Sequence, residues 1–232
     1  MKNYEHLFFD LDHTLWDFEQ NARECLIEIH DHFDLTAIGV EDVATFCKEF
    51  SEVNYHYWAL LEQKIITADE LRRGRFKTTF VNLGVEVEEA FGLAMNDFFL
   101  KALPHKKTLI EGALEVLDYL KPRYPLHILS NGYEALQMKK MESSGIAHYF
   151  EEIITFDKAK ALKPDKAIFD YAIKSTNASL SNSLMIGDNY EADIKGAINA
   201  AFDTVFYNPA RQKTVEKPTF DIVKLVELKR FL

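Results

Sequence analysis

The sequence predicts an α/β protein, a doubly wound Rossmann-like parallel sheet with an inserted helical domain. Three observations predict it. Short apolar runs recur along the chain and are continuous rather than alternating, as in strands buried on both faces of a parallel sheet. Helical patterns lie between the later runs, giving the alternation of βαβ units. The gap between the first two runs is far too long for a single crossover and carries helical periodicity instead of strand character.

The runs are Leu7 to Asp10, Leu126 to Ser130, Ile153 to Phe156, Leu184 to Gly187 and Thr204 to Tyr207. Between the later ones, Ala113, Val116, Leu117 and Leu120 have the i, i+3, i+4, i+7 spacing of one apolar stripe. Ile168, Tyr171, Ala172 and Ser175 repeat that spacing more weakly. In the long gap, Val43, Phe46, Phe50, Val53, Tyr57 and Leu61 outline an amphipathic helix. Thr67-Ala68-Asp69-Glu70 has the form of a capping box, Gly84 marks a break, and Pro104 marks the return to the core. The expected division is therefore a core of residues 1–16 and 104–232 around a helical insert of residues 17–103.

Composition narrows the function. At 232 residues, 47% hydrophobic and 28% charged, the chain resembles ordinary globular proteins and can bury a sizeable core. A formal net charge of −10 speaks against a nucleic-acid polymer or an anionic membrane as main partner, since both demand a basic face. It leaves room for a small phosphate ester, which needs only a few local cations and a metal. Cys25 and Cys47 sit in apolar helical segments and read as buried thiols. No apolar stretch is long enough to span a bilayer. The stretch Met1-Lys2-Asn3-Tyr4-Glu5-His6 runs straight into the first strand, with no room for a signal peptide. A cytoplasmic monomer or homodimer acting on a small metabolite is the expectation.

The chemistry concentrates at strand ends. The first strand delivers Asp10 and Asp12 to its C-terminal end, the side on which open α/β sheets hold ligands. Two acids there can divide labour, one attacking or binding metal while the other moves a proton. The second strand ends in Ser130-Asn131-Gly132 before a helix, an arrangement suited to phosphate, although an N-cap with a tight turn would look the same. Lys163 precedes the helix start Pro164-Asp165 and is held where it can point at the strand ends. The fourth strand ends in Asp188, with Asp193 five residues later, where Asp193 could also serve the helix dipole. Strand-end acids with few His or Cys neighbours suit a hard, oxygen-liking ion, foremost Mg²⁺.

In this order, Asp-x-Asp-x-Thr, Ser-Asn-Gly, Lys-Pro and Gly-Asp-x-x-x-x-Asp resemble the four motifs of the haloacid dehalogenase-like (HAD) hydrolase superfamily. The helical insert between the first and second motifs resembles its C1-capped branch. Asp12 resembles the acid/base of the phosphohydrolases of that family and argues against haloacid dehalogenation. The segments Phe9 to Trp16, Ile66 to Phe76 and Asn131-Gly132-Tyr133 are similar to bacterial pyrimidine 5′-nucleotidase-like members. His13 stands where many relatives carry glycine.

The resemblance implies a mechanism. Asp10 attacks phosphorus and Asp12 is the acid/base. Mg²⁺ is held by Asp10, Asp188 and the Asp12 carbonyl. Ser130, Asn131 and Lys163 bind the phosphoryl group, and Asp193 lies behind them orienting Lys163 or a metal-bound water. The insert would close over the substrate. His13 and Trp16 are candidates for contact with a nucleotide leaving group, Trp16 and Phe18 either stacking on a base or packing core against insert. The basic run Arg72-Arg73-x-Arg75-x-Lys77 either contacts substrate or is a solvated face. A phosphosugar mutase, a phosphonate hydrolase and a non-catalytic binding protein are the rival readings.

Overall fold

A computed structural model describes residues 3–232; Met1 and Lys2, which open the stretch read for a signal peptide, lie outside the described residues. The chain divides into two compact units, Glu19–Lys106 and Met1–Phe18 with Lys107–Leu232. The junctions fall two or three residues beyond the expected 16/17 and 103/104. Pro104 does not mark the return: it sits in a 3₁₀ turn over Leu103–His105 that continues the last helix of the helical unit. Proline is tolerated in a first helical turn, where its missing N–H would have no partner in any case.

The helical unit is built from α1 (Phe18–His32), α2 (Val43–Glu62), α3 (Ala68–Asn82) and α4 (Glu89–Ala102). Asp42 caps α2 by accepting from the Ala44 and Thr45 N–H groups at 3.0 and 3.3 Å. The capping box of α3 forms as expected, with Glu70 N–H donating to Thr67 Oγ1 and Thr67 N–H donating back to Glu70. Helix α3 packs against both α2 and α4. Of the stripe read for α2, Phe46, Phe50 and Val53 are buried, and Val43, Tyr57 and Leu61 are half-buried. Phe50 meets Phe76 and Phe99 with ring centroids 4.7 and 5.1 Å apart.

The second unit holds a six-stranded sheet: β1 (His6–Phe9), β2 (Leu126–Ser130), β3 (Phe150–Thr155), β4 (Ser183–Gly187), β5 (Asp203–Tyr207) and β6 (Phe220–Ile222). The helices of this unit are α5 (Ala113–Leu120), α6 (Glu134–Ser143), α7 (Phe156–Ala159), α8 (Lys166–Thr176) and α9 (Gly196–Asn199). Every pairing is parallel, in the order β3-β2-β1-β4-β5-β6. Strands β1, β2 and β4 are buried almost throughout because helices cover both faces, which is why they read as unbroken apolar runs. The sequence reading has no β6, whose three residues at the sheet edge are too few to show a pattern. Cys25 and Cys47 are free and buried, as expected.

This order places the site. Strand progression reverses at β1, which has β2 on one side and β4 on the other, and ligands of doubly wound sheets bind at that reversal. The ladder continues one residue past β1, where Asp10 N–H donates to the Ile186 carbonyl at 2.9 Å. Asp10 therefore leaves the sheet next to Gly187 and Asp188, and Ser130 ends the strand on its other side.

Candidate active site

Four loops converge at the reversal point. Asp10, Lys163 and Asp193 are buried there, and Asp188 is half-buried. The Lys163 ammonium donates to Asp10 Oδ1 at 2.6 Å, to Asp193 Oδ1 at 2.6 Å and to the Leu129 carbonyl at 2.7 Å. Those three acceptors match its three N–H bonds, so the expected salt bridge to the acid cluster is its principal work in this geometry. Asn131 fixes the lysine from behind: its side chain accepts from Lys163 N–H at 2.7 Å and donates to the Lys163 carbonyl at 3.0 Å. Asp165 starts α8 beyond the turn, accepting from Ala167 N–H at 3.0 Å.

The second acid loop is shaped by a glycine and a π-helical turn. Asn189 caps the turn Tyr190–Lys195 by accepting from the Glu191 and Ala192 N–H groups at 3.1 and 3.0 Å. Asp193, inside that turn, accepts from Asn189 N–H at 3.0 Å through Oδ2. A Cβ on Gly187 would lie 2.3 Å from that same oxygen, so only glycine lets the Asp193 carboxylate reach Lys163. Thr14 donates to Asp188 Oδ1 at 2.8 Å from a fully buried position.

Crowding governs the electrostatics. Burial pushes the Asp10 carboxyl well above the usual range; Lys163 opposes this, and the neighbouring Asp193 and Asp188 carboxylates reinforce it. Burial and Asp193 likewise push Asp188 up to about 8, against the Thr14 hydrogen bond and Lys163. Burial alone would lower the Lys163 ammonium, but Asp10 and Asp193 outweigh it and hold the group above its ordinary value. Three carboxylates share one ammonium, and a further cation would relieve the excess.

One oxygen each from Asp10, Asp188 and Asp193 lie within 4.8 Å of one another, close enough to surround one ion. The donors are all carboxylate oxygens, the set preferred by Mg²⁺, so the residues fit a hard divalent ion. Both oxygens of Asp193 already accept hydrogen bonds, which leaves Asp10 and Asp188 better placed to face a metal directly.

The Asp12 side chain stands apart from this trio. Its Oδ1 and Oδ2 accept from the Lys140 ammonium at 2.7 and 2.8 Å, and Oδ2 also accepts from Gln137 Nε2 at 2.9 Å. Burial raises the Asp12 carboxyl, but the Lys140 charge and these hydrogen bonds outweigh it and hold the group below the usual range. Ser130 Oγ accepts from Gln137 Nε2 at 2.6 Å and from Gly132 N–H at 3.2 Å, so its own O–H is left to donate. A Cβ on Gly132 would lie 2.6 Å from the Gln137 side chain, which explains the glycine of Ser-Asn-Gly.

Two expectations on the loop after β1 need correction or comment. Trp16 is fully buried, and the Lys140 ammonium lies 4.7 Å from its ring centroid. It offers no face to a base, and packing is its role. His13 is half-buried, with its ring 4.9 Å from that of Phe18, and has φ +64°. That left-handed backbone is one that glycine adopts without strain, which fits the resemblance's glycine at this place. Thr14, Gln137 and Lys140 escaped the sequence reading as partners of the acids. Thr14 had a signal, as the closing residue of Asp-x-Asp-x-Thr; Gln137 and Lys140 had only their i, i+3 spacing on α6.

A doubly wound sheet that gathers acids, a hydroxyl and a lysine at its reversal point defines an α/β protein with a polar ligand site at that point. Residues 4–201 match a family described as haloacid dehalogenase-like hydrolase. The chain belongs to that family. It is 33% identical over 230 residues to the pyrimidine 5′-nucleotidase PynA of Streptococcus pneumoniae, covering 97% of this chain and 93% of the other. It is 30% identical to the pyrimidine 5′-nucleotidase YjjG of Escherichia coli, over 99% and 98% of the two chains. A crystal structure of the HAD-hydrolase YfnB of Bacillus subtilis bound to magnesium superimposes with TM-score 0.89 at 28% identity, over 99% and 98% of the chains. Family and relatives support a phosphatase. Among the described residues, no helix is long and apolar enough to cross a membrane.

Proposed function

We propose that this protein is a Mg²⁺-dependent phosphoric monoester hydrolase acting through an aspartyl-phosphate on Asp10, with nucleoside 5′-monophosphates, pyrimidine ones first, as preferred substrates. The convergence of Asp10, Asp188 and Asp193 on one point beside Lys163 carries the reading. In the first half-reaction an Asp10 oxygen bonds to phosphorus, the ester P–O bond breaks, and Asp12 supplies the proton to the departing oxygen. In the second, Asp12 takes a proton from water as the water oxygen bonds to phosphorus, and the P–O bond to Asp10 breaks. Mg²⁺ held by Asp10, Asp188 and the Asp12 carbonyl would neutralise the carboxylate and phosphoryl oxygens so that two anions can approach.

Ser130 donates its hydroxyl to a phosphoryl oxygen, together with the Asn131 N–H. Lys163 holds Asp10 in place and offers its charge to the equatorial oxygens, and Asp193 orients Lys163. The helical unit, inserted between the first and second motifs, is the C1 cap of this reading. His13 is the residue near the acids left to contact the leaving group. The two nucleotidase relatives support the pyrimidine preference.

The test is phosphate release from dUMP, dTMP, AMP and glucose phosphates, each with Mg²⁺, Ca²⁺ or EDTA. Pyrimidine nucleotides should give the highest kcat/KM, EDTA should abolish release, and Ca²⁺ should fail to replace Mg²⁺ because it favours higher coordination numbers and would engage both Asp10 oxygens. A clear win for glucose phosphates would overturn the nucleotide preference. Isomerised sugar phosphate without free phosphate would indicate a mutase instead.

A further inference from the structure

We propose that Lys140 and Gln137, neighbours at i, i+3 on α6, are positioning residues that hold Asp12 as the proton acceptor of the hydrolytic half-reaction. The inference rests on the acid/base reading of Asp12 given above.

Lys140 is 6% exposed and Gln137 1%, so both reach the site from a buried face of α6. The ammonium grips both Asp12 oxygens, at 2.7 and 2.8 Å, and Gln137 adds a third donor at 2.9 Å. Only acceptor oxygens can take all three hydrogen bonds. The carboxylate is thus presented in the form that takes a proton rather than the form that gives one. On its other side Lys140 lies over two rings, 4.7 Å from the centroid of Trp16 and 5.8 Å from that of Phe18, an arrangement that fixes a cation without a competing anion. Gln137 Nε2 also donates to Ser130 Oγ at 2.6 Å, tying the acid/base to the hydroxyl proposed to bind the phosphoryl group.

The two halves of the reaction ask different things of this clamp. In the first half Asp12 must take up a proton from solvent and release one of these donors, so that its O–H can reach the leaving oxygen. In the second half it must stay an acceptor, aimed at water, after the leaving group has gone. Removing Lys140 should therefore slow hydrolysis of the phospho-enzyme more than its formation.

The experiment measures kcat and kcat/KM with dUMP, and the pre-steady-state burst of p-nitrophenol from p-nitrophenyl phosphate, for the native chain, Asp12→Asn, Lys140→Met and the double variant. Lys140→Met should lower kcat on the order of tenfold to hundredfold, short of the full hundredfold to ten-thousandfold of a general acid–base because Asp12 itself remains. The value of kcat/KM should fall by less than about threefold, KM should fall with kcat, and a burst should appear as phospho-enzyme accumulates. In the Asp12→Asn background the same change should cost almost nothing further. Lys140→Arg should recover most of kcat, and Lys140→Gln serves if the methionine variant does not fold.

Native kcat in Lys140→Met, or an equal fall in kcat and kcat/KM without a burst, would overturn the inference. So would a full additional loss in the Asp12→Asn background. Native turnover in Asp12→Asn would instead remove the acid/base reading itself, an outcome visible before Lys140 is touched.

Discussion

Lys163 in the sheet unit and Arg75 in the helical unit are both buried cations, 2% and 3% exposed, and their surroundings are opposite. Lys163 is compensated by two carboxylates at 2.6 Å. Arg75 has no carboxylate partner among the described residues. Its guanidinium donates to the amide oxygens of Asn96 at 2.9 Å and Asn54 at 3.1 Å, with the Phe99 ring 4.9 Å away. Burial pulls Arg75 down to about 10, whereas the acids hold Lys163 above its ordinary value. A cation among carboxylates belongs to a site with surplus negative charge and a use for it. A cation among amides and rings only fills and orients a helical core.

The largest effect should separate chemistry from packing. Asp10→Asn is expected to lose turnover by several orders of magnitude with its thermal unfolding little changed, because it removes the proposed nucleophile and keeps the shape. Near-native activity in the folded variant would falsify the aspartyl-phosphate.

The next pair bears on the two cations. Lys163→Met strands buried carboxylates and should cost about 3–5 kcal/mol by urea titration, with activity lost. Arg75→Met leaves only amide oxygens unsatisfied and should cost about 1–3 kcal/mol. Its kcat/KM is expected to stay within a few-fold of native. Equal losses of activity would erase the distinction.

A third measurement uses pH. His127 on β2 is 2% exposed, and burial, aided by His6 and Lys121, pulls its imidazole down from 6.5 to about 4. The unfolded chain then binds the extra proton between those values, so stability falls as pH drops from about 6.5 to about 4 and this contribution levels off below. The window corresponds to about 3 kcal/mol. Urea titrations of His127→Leu across it should show a correspondingly shallower slope than the native chain, and parallel slopes would contradict the shift. The smallest effect belongs to the helical unit. Thr67→Ala breaks the capping box and should cost about 1 kcal/mol, with kcat unchanged.

The parts of this architecture legible in sequence were those written in consecutive residues. Asp10, Ser130 and Asp188 could be read because each ends or follows an apolar run, and a buried parallel strand leaves such a run. The capping box at Thr67 needed only four residues. What stayed hidden depends on contacts between distant segments. Nothing local separates Lys139 from Lys140, yet only Lys140 faces Asp12. Arg75 sat in a basic run whose other arginines do make exposed ion pairs, Arg72 with Asp97 and Arg73 with Asp69 and Glu89. Its own place four residues after the buried Leu71 was the available sign that it points inward. Trp16, next to the acid pair in sequence, could be read either as stacking on a ligand or as packing, and only its burial decides for packing.

The pairing of β1 with both β2 and β4 has a consequence for how the molecule comes into being. Asp10 precedes Asp188 by 178 residues, so the strand that brings Asp188 beside it is made long after β1. The helical unit, contiguous over Glu19–Lys106, can close its own contacts while β1 still has neither neighbour. Long-range parallel pairing is the slow part of folding, because a large loop must close before any contact rewards it. The reversal point is therefore completed late, and the acid cluster cannot gather until the centre of the sheet has formed.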